Sequence, residues 1–473
     1  MAVPVLVLIV LIGTATQADW RRFRGPNGSG VGTASSLPAE FGPATNLYWK
    51  AEVPFGRSSP VIAGNRIFLT ASEGDKLITM CFDRSSGKLL WRREATRARQ
   101  MSIYKGNDPA SPTPVSDGTN VYVFFAELGL ISYGPDGRER WRLPLGPFNT
   151  FYGIGASPVF ESGTLVMVCD QRTDSHVLAV DARDGTVRWK SDRSSTVEGY
   201  ATPVIYSPAV GEPQVLVLGS HTLEAYALNT GRRLWWVGQL GYAPKGVPVI
   251  GRDMVYVSAP GGDEPAYPPF DEGLKQYDAN GDRRIQYEEL RSEPGIQEHF
   301  GWMDSNGDGA IDRAEYDPIR NASAVGHGLA AIRLGGTGNL TATNIAWRVK
   351  KAYPNVPAPL LYDGVLYVVR TGGIITSLHP QSGEVLKTGR SESAIEEYFS
   401  SPVAADGKVF LVSESGKVTV LKSGEQWEIV AVNDLAEEVW ATPAIAEDAI
   451  YIRTRSALYA FRADQAGRLA GSH

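Results

Sequence analysis

Eight short segments of one form recur along the chain: a small residue (Val in the fifth copy), then proline, then an apolar residue. They are Ser59-Pro60-Val61, Thr113-Pro114-Val115, Ser157-Pro158-Val159, Thr202-Pro203-Val204, Val247-Pro248-Val249, Ala358-Pro359-Leu360, Ser401-Pro402-Val403 and Thr442-Pro443-Ala444. The prolines stand 54, 44, 45, 45, 111, 43 and 41 residues apart. After each comes a turn and an alternating apolar run, as in Leu165-Val166-Met167-Val168 or Val215-Leu216-Val217-Leu218. A period near 44 with two-residue alternation fits a four-stranded propeller blade and not a helical solenoid, which would show 3.6-residue periodicity. Eight markers predict an all-β, eight-bladed β-propeller. The long interval holds one blade and an insertion.

Most copies close on a turn ending in glycine and then a tryptophan or its substitute. The third is the clearest: Leu178-Ala179-Val180-Asp181, Asp184-Gly185, Trp189. The glycine supplies a backbone position with positive φ, and the indole is an apolar peg that packs against the next blade. The sixth copy has Leu386 where others have Trp, and the eighth stops soon after Phe461. This organisation resembles the PQQ-like β-propeller repeat family, and Asp19-Trp20-Arg21-Arg22-Phe23-Arg24-Gly25-Pro26 is similar to the N-terminal segment of its secreted bacterial members. The resemblance implies that an N-terminal strand completes the last blade. It is specific for fold and poor for function, because the family includes quinoprotein dehydrogenases and a non-enzymatic barrel-assembly protein of the outer membrane.

Val3 to Ile12 is an apolar stretch, and Thr16-Gln17-Ala18 follows with small residues at −3 and −1 of a cleavage site. This is the pattern of a signal peptide; the other reading is a retained anchor, against which a stretch of about ten residues falls short of the ~20 a span needs. Cleavage gives an exported chain, periplasmic or extracellular, starting near Asp19, with no transmembrane span. Cys81 and Cys169 lie in different repeats and are expected as buried free thiols. A formal charge of −6 excludes a broadly basic nucleic-acid binder.

The acidity is local. Residues 261–325 carry 15 Asp or Glu and 6 Lys or Arg, a net of −9, leaving +3 for the rest. Inside lies the run Asp304 to Glu315, which meets the EF-hand loop pattern at its diagnostic positions. Asp304, Asn306, Asp308, Asp312 and Glu315 offer side-chain oxygens, Ala310 offers its carbonyl, and Gly309 permits the sharp bend. Oxygen donors at this density suit Ca²⁺, which takes 6–8 of them; an acidic turn without metal is the plain alternative. A second loop precedes it, with Asp278, Asn280, Asp282, Arg284 (by its carbonyl), Gln286 and Glu289 as ligand positions. Arg283 replaces the glycine there, so weaker binding is expected. Ile285 and Ile311 share a loop position and are expected to pair. The two loops resemble a compact EF-hand pair of secreted bacterial proteins.

The domains expected are a signal peptide (1–18), a first propeller part (19–260), the acidic EF-hand insertion in the fifth blade (261–325), a second propeller part (326–465) and a disordered tail (466–473). The segments before the marker prolines should line the channel mouth. They hold the aromatics Tyr152, Tyr200, Tyr242, Tyr353, Tyr398 and Trp440, with Arg57, Lys105, Glu198, Lys245 and Glu397 nearby. Such a ring either holds a sugar, quinone or peptide or simply fills a wide channel. The sequence offers no catalytic residue: no nucleophile motif, zinc spacing or phosphate loop is present, and no adjacent cysteines. The reading that results is an exported calcium-binding propeller, a monomer, acting as a non-enzymatic binding or scaffold protein with a protein or glycan partner. The alternative is a PQQ-dependent oxidoreductase of alcohols or sugars using the central channel, a cofactor that no site residue supports. A hydrolase or lyase on polysaccharide rests on the aromatic mouth alone. Whether the insertion caps the channel or projects from the rim stays open.

Overall fold

In the computed structural model, residues 19–463 are described apart from 98, 100, 102, 105, 262–264, 266, 323–325 and 352. The expected signal peptide and tail, and Lys105, lie outside the described residues.

The chain forms an eight-bladed β-propeller. Each marker proline leads into the short first strand of a four-stranded antiparallel unit, as in Val159–Glu161, Thr164–Cys169, His176–Asp181 and Val187–Asp192 of blade 3; blade 4 carries a fifth strand, Gly338–Asn339, parallel to its outer strand Arg233–Val237. The two middle strands of that blade are buried throughout, because both faces meet neighbouring blades. The outermost strand buries one residue, Trp189. Blade 8 is closed as the repeat resemblance implies: Leu47–Glu52 pairs antiparallel with Ala457–Arg462.

The tryptophans dock blade onto blade. Trp189 stands on the turn of blade 4, its indole N–H donating to the Leu228 carbonyl at 2.9 Å. Gly231 lies beneath the ring with φ of 71°, and a Cβ there would meet it at 2.5 Å. The turn thus needs glycine twice, for its backbone and for its missing side chain. Trp49, Trp91, Trp141 and Trp347 make the same bond to carbonyls of the following blade.

A second belt runs around the axis, and it explains the residue before each proline. The N–H of Ala358 donates to Ser401 Oγ, Ser401 to Thr442, Thr442 to Ser59, Ser59 to Thr113, Thr113 to Ser157 and Ser157 to Thr202, each at 2.9–3.0 Å. The acceptor must be a side-chain hydroxyl, because these blades meet without a shared backbone ladder. The series is open at blade 5, where the marker is Val247.

The N-terminal segment does more than close a blade. Trp20 pairs with Ile62 of blade 1, Arg22 donates to the Pro203 carbonyl at 2.7 Å, and Arg24 donates to the carbonyls of Pro359 at 2.9 Å and Pro402 at 3.3 Å. Gly30 and Gly32 bond Ala404 of blade 7. This stretch therefore ties together blades 1, 4, 6 and 7. Arg24 is fully buried with neutral acceptors, and burial pushes its guanidinium down to about 9.

Between the second strand of blade 5 (Met254–Ala259) and its partner Gly328–Arg333 stand three helices: α1 (Phe270–Tyr277), α2 (Pro294–Met303) and α3 (Arg313–Ala322). They share a small core that includes Phe270, Leu274, Phe300, Ile311 and Tyr316. Ile285 pairs with Ile311 in a two-stranded bridge, as their loop positions predict.

Candidate functional site

The acidic loops repeat each other bond for bond. In 304–315, Asp304 accepts the N–H groups of Gly307 (2.8 Å) and Gly309 (2.9 Å), and Asn306 accepts that of Asp308 (2.8 Å). Glu315 reaches back to Ser305 N–H (2.9 Å) and Asn306 N–H (3.1 Å), while exchanging bonds with Asp312 at the start of α3. In 278–289, Asp278 accepts from Gly281 (2.7 Å) and Arg283 (2.9 Å), Asn280 from Asp282 (2.8 Å), and Glu289 from Ala279 (2.9 Å). Arg283 takes φ of 65° where Gly309 takes 89°, so the non-glycine residue is held in the left-handed region by its loop.

The loops differ in their charge partners. Gln286 donates to Asp282 at 2.6 Å, closing the first loop on itself. In the second, the Arg284 guanidinium arrives from the neighbouring loop and donates to both Asp308 oxygens at 2.6 Å and to the Ala310 carbonyl at 3.2 Å. That bond holds the Asp308 carboxyl below the usual carboxylate range. Two of the predicted ligand positions thus already gather around a cation. Among the described residues, no three His, Cys, Asp or Glu side chains are drawn together tightly enough, as they stand, to hold a metal ion.

The helical insert rests against the propeller mouth. Trp302 lies 6.0 Å from the Phe151 ring and 6.4 Å from that of Tyr242. Arg172 of blade 3 donates to the carbonyls of Met303 (3.0 Å) and Glu315 (3.4 Å).

At the mouth is a cavity of about 540 Å³, walled by Tyr104, Tyr152, Tyr200 and Tyr242 and reaching Phe23 of the N-terminal segment. Tyr152 meets Tyr104 and Tyr200 edge-on at 5.3 and 5.4 Å. Lys245 is half-buried in this wall, with Nζ 5.0 Å over the Tyr152 ring and 3.2 Å from the Ala243 carbonyl. Burial pushes its ammonium down to about 8. Behind the wall, Glu198 is 1 % exposed. It accepts Phe151 N–H at 3.0 Å and the Tyr242 hydroxyl at 3.4 Å, and burial pushes its carboxyl up. A smaller adjoining cavity is lined by Arg57 and Trp440, with the guanidinium 3.6 Å over the indole.

Of the expected mouth residues, Tyr152, Tyr200, Tyr242, Lys245, Arg57 and Trp440 come together there. Tyr398 does not: it is buried in a core and donates to the Ala394 carbonyl, while its neighbour Phe399 faces the cavity. Glu397 accepts from Thr371 instead, and Tyr353 bonds the Gly261 carbonyl. Tyr104, Asn107 and Asn355 line the cavity without having been expected. Tyr104 and Asn107 lie seven or more residues before Pro114, and Asn355, though close to Pro359, is neither aromatic nor charged, so none of the three carried the signal used for the mouth. Cys81 and Cys169 are free and buried. Among the described residues, no helix is long and apolar enough to cross a membrane.

Residues 42–173, 78–262, 173–296 and 302–472 match the family described as Outer membrane protein assembly factor BamB. The BamB protein of Burkholderia pseudomallei (strain K96243) is 26% identical over 270 residues, which are 54% of this chain and 63% of that protein's length. BamB from Moraxella catarrhalis superposes with a TM-score of 0.52 at 11% identity, covering 88% of this chain and 100% of that one. A europium-containing methanol dehydrogenase gives 0.55 at 10% identity, over 94% and 98%. The quinohemoprotein alcohol dehydrogenase ADHIIG from Pseudomonas putida HK5 gives 0.54 at 11%, over 94% and 80%. At such identities the solved structures establish the fold alone. With the sequence match running through nearly the whole propeller, the chain belongs to the PQQ-repeat β-propeller family described as outer membrane protein assembly factor BamB.

Proposed function

We propose that the protein is an exported calcium-binding propeller that acts as a non-enzymatic binding or scaffold protein, a monomer working in the periplasm or outside the cell with a protein or glycan partner. The observation that carries this reading is the attachment of loop 304–315 to the mouth. Arg172 holds carbonyls at both ends of the loop, and Trp302 packs on Tyr242. A cation in the loop therefore orders a surface continuous with the mouth. On this reading residues 261–325 are an EF-hand pair inserted in blade 5, and residues 1–18 are a signal peptide. The donor set fits calcium: it is all oxygen, and the Arg284 guanidinium stands where a cation is expected. Asp304, Asn306, Asp308, Asp312 and Glu315 with the Ala310 carbonyl would hold it, and Asp278, Asn280, Asp282, Gln286 and Glu289 with the Arg284 carbonyl would hold a second, weaker ion. The description of the relatives as outer membrane assembly factors supports the scaffold and periplasmic parts.

Calorimetric titration of calcium into metal-stripped protein, with limited proteolysis at each point, tests this. Saturable uptake that protects residues 261–325 and is lost in Glu315→Gln is expected. Uptake by that variant equal to wild type overturns the site.

The alternative, a PQQ-dependent oxidoreductase of alcohols or sugars, draws on the mouth cavity. Its residues fit a calcium–quinone pair poorly, because the Glu198 oxygens are engaged by Phe151, Tyr200 and Tyr242. Equilibrium dialysis of PQQ with and without calcium decides: saturation near one per chain favours the oxidoreductase, and no binding with calcium still taken up favours the scaffold.

A further inference from the structure

We propose that the cavity at the mouth is a binding site for a small carboxylate-bearing sugar, a uronic-acid oligosaccharide, with Lys245 taking the carboxylate. The inference rests on the binding-protein reading above and names its ligand class; it does not depend on calcium.

The charge argument comes from Lys245. An ammonium has three donors, and among the described residues Nζ has one hydrogen-bond acceptor, the Ala243 carbonyl at 3.2 Å. The nearby Glu198 is spent on Phe151 N–H and on tyrosine hydroxyls, so it leaves the amine without a hydrogen-bonded counter-ion. A half-buried cation in this state gains most from an anionic oxygen brought in by a ligand. Burial depresses the titration of the amine, and the nearby Glu198 charge offsets this only in part.

The shape argument points to a sugar. The cavity of about 540 Å³ lies in the range of small-molecule sites, roughly 300–1,000 Å³. Phe23 of the N-terminal segment adds an apolar ring to its wall. Tyrosines from blades 2 to 5 present ring faces and edges around the space, and apolar C–H faces of a pyranose pack on such surfaces. Asn355 offers an amide with both a donor and an acceptor to ring hydroxyls, while Asn107 stiffens the wall through its bonds to the Tyr152 carbonyl, Asp108 N–H and Ser111. A uronic acid combines a ring, hydroxyls and one carboxylate, which is the set of groups this wall complements.

The test is calorimetry on the whole mature protein with trigalacturonate, galactotriose, an acidic tripeptide and PQQ as probes. One trigalacturonate per chain is expected, about tenfold or more tighter than galactotriose. Lys245→Met should lose that preference, and Lys245→Arg, which keeps the charge, should retain most of it. Equal binding of both sugars overturns the role of Lys245. Tighter binding of the tripeptide or of PQQ overturns the ligand class, and no binding of trigalacturonate overturns the site. The wild-type comparison of the two sugars decides even if the Met variant misfolds. Calcium titration of the same preparation separates the hypotheses: intact calcium uptake without trigalacturonate binding overturns this site alone.

Discussion

Arg172 of blade 3 donates to the main-chain oxygen of Met303, 131 residues away, and lies 5.1 Å from the ring of Trp302 beside it. The same guanidinium bonds the Glu315 carbonyl. One half-buried side chain of the propeller thus holds both ends of the acidic loop.

Replacing Arg172 by Met should release the insert. We expect faster proteolysis within 261–325 and a calcium affinity of the 304–315 loop several-fold weaker, at the scale of lost charge-assisted hydrogen bonds. The main unfolding transition of the propeller should not move. Mass-resolved proteolysis beside a calcium titration reads both effects; unchanged cleavage refutes the docking role.

On the calcium-binding reading, Arg284 is a competitor for the same loop: an incoming ion would have to displace its guanidinium from Asp308 and from the Ala310 carbonyl. Arg284→Gln should therefore raise calcium affinity about twofold to fivefold, the scale of an exposed ion pair, and the gain should shrink at high salt. Weaker binding in that variant contradicts the displacement.

The docking glycines carry a separable cost. Gly231→Ala forces a Cβ to within 2.5 Å of the Trp189 ring at φ of 71°, whereas Gly364 has φ of 75° and open space. Gly364→Ala should cost about 1–2 kcal/mol for the left-handed backbone alone. Gly231→Ala should cost about 1–3 kcal/mol more. Denaturant midpoints of the two variants measure the difference.

Lys245 gives a pH dependence with a defined sign. Its ordinary value is 10.5 and burial brings it to about 8. Below about 8 the amine is charged in folded and unfolded chains alike, and its burial cost is present in full. Between about 8 and 10.5 the folded chain has released a proton that the unfolded chain keeps, so stability rises with pH. Trigalacturonate affinity should run the opposite way, falling as pH passes 8, because the carboxylate needs the ammonium. A flat profile in Lys245→Arg is the control.

The propeller was readable because its constraint repeats: proline, alternating strand, Gly turn and Trp each mark one position in every blade. The hydroxyl belt was half visible. Ser59, Thr113, Ser157 and Thr202 read as merely small, yet each hydroxyl accepts a hydrogen bond from the preceding blade. The mouth was read with an error of one residue at Tyr398, because the segment there turns Phe399 to the cavity instead. The crossing of Arg284 into the next loop was not legible at all. A loop pattern assigns that position by its carbonyl and says nothing of where a long side chain goes. Arg22 and Arg24 were seen as part of an N-terminal motif, but their acceptors are carbonyls of distant blades, and backbone acceptors leave no mark in sequence.

The pairing of Leu47–Glu52 with Ala457–Arg462 makes the ring a structure with one joint. Its two sides are roughly 400 residues apart, so the joint is the highest-contact-order event in the molecule and belongs late in folding. Until it forms, blade 8 has an unpaired edge and the first and last blades show apolar flanks, the features that invite aggregation. A chain cut short just before Ala457 would retain nearly every blade and still lack a closed circle. The last strand is thus the one whose pairing turns a row of blades into a closed ring.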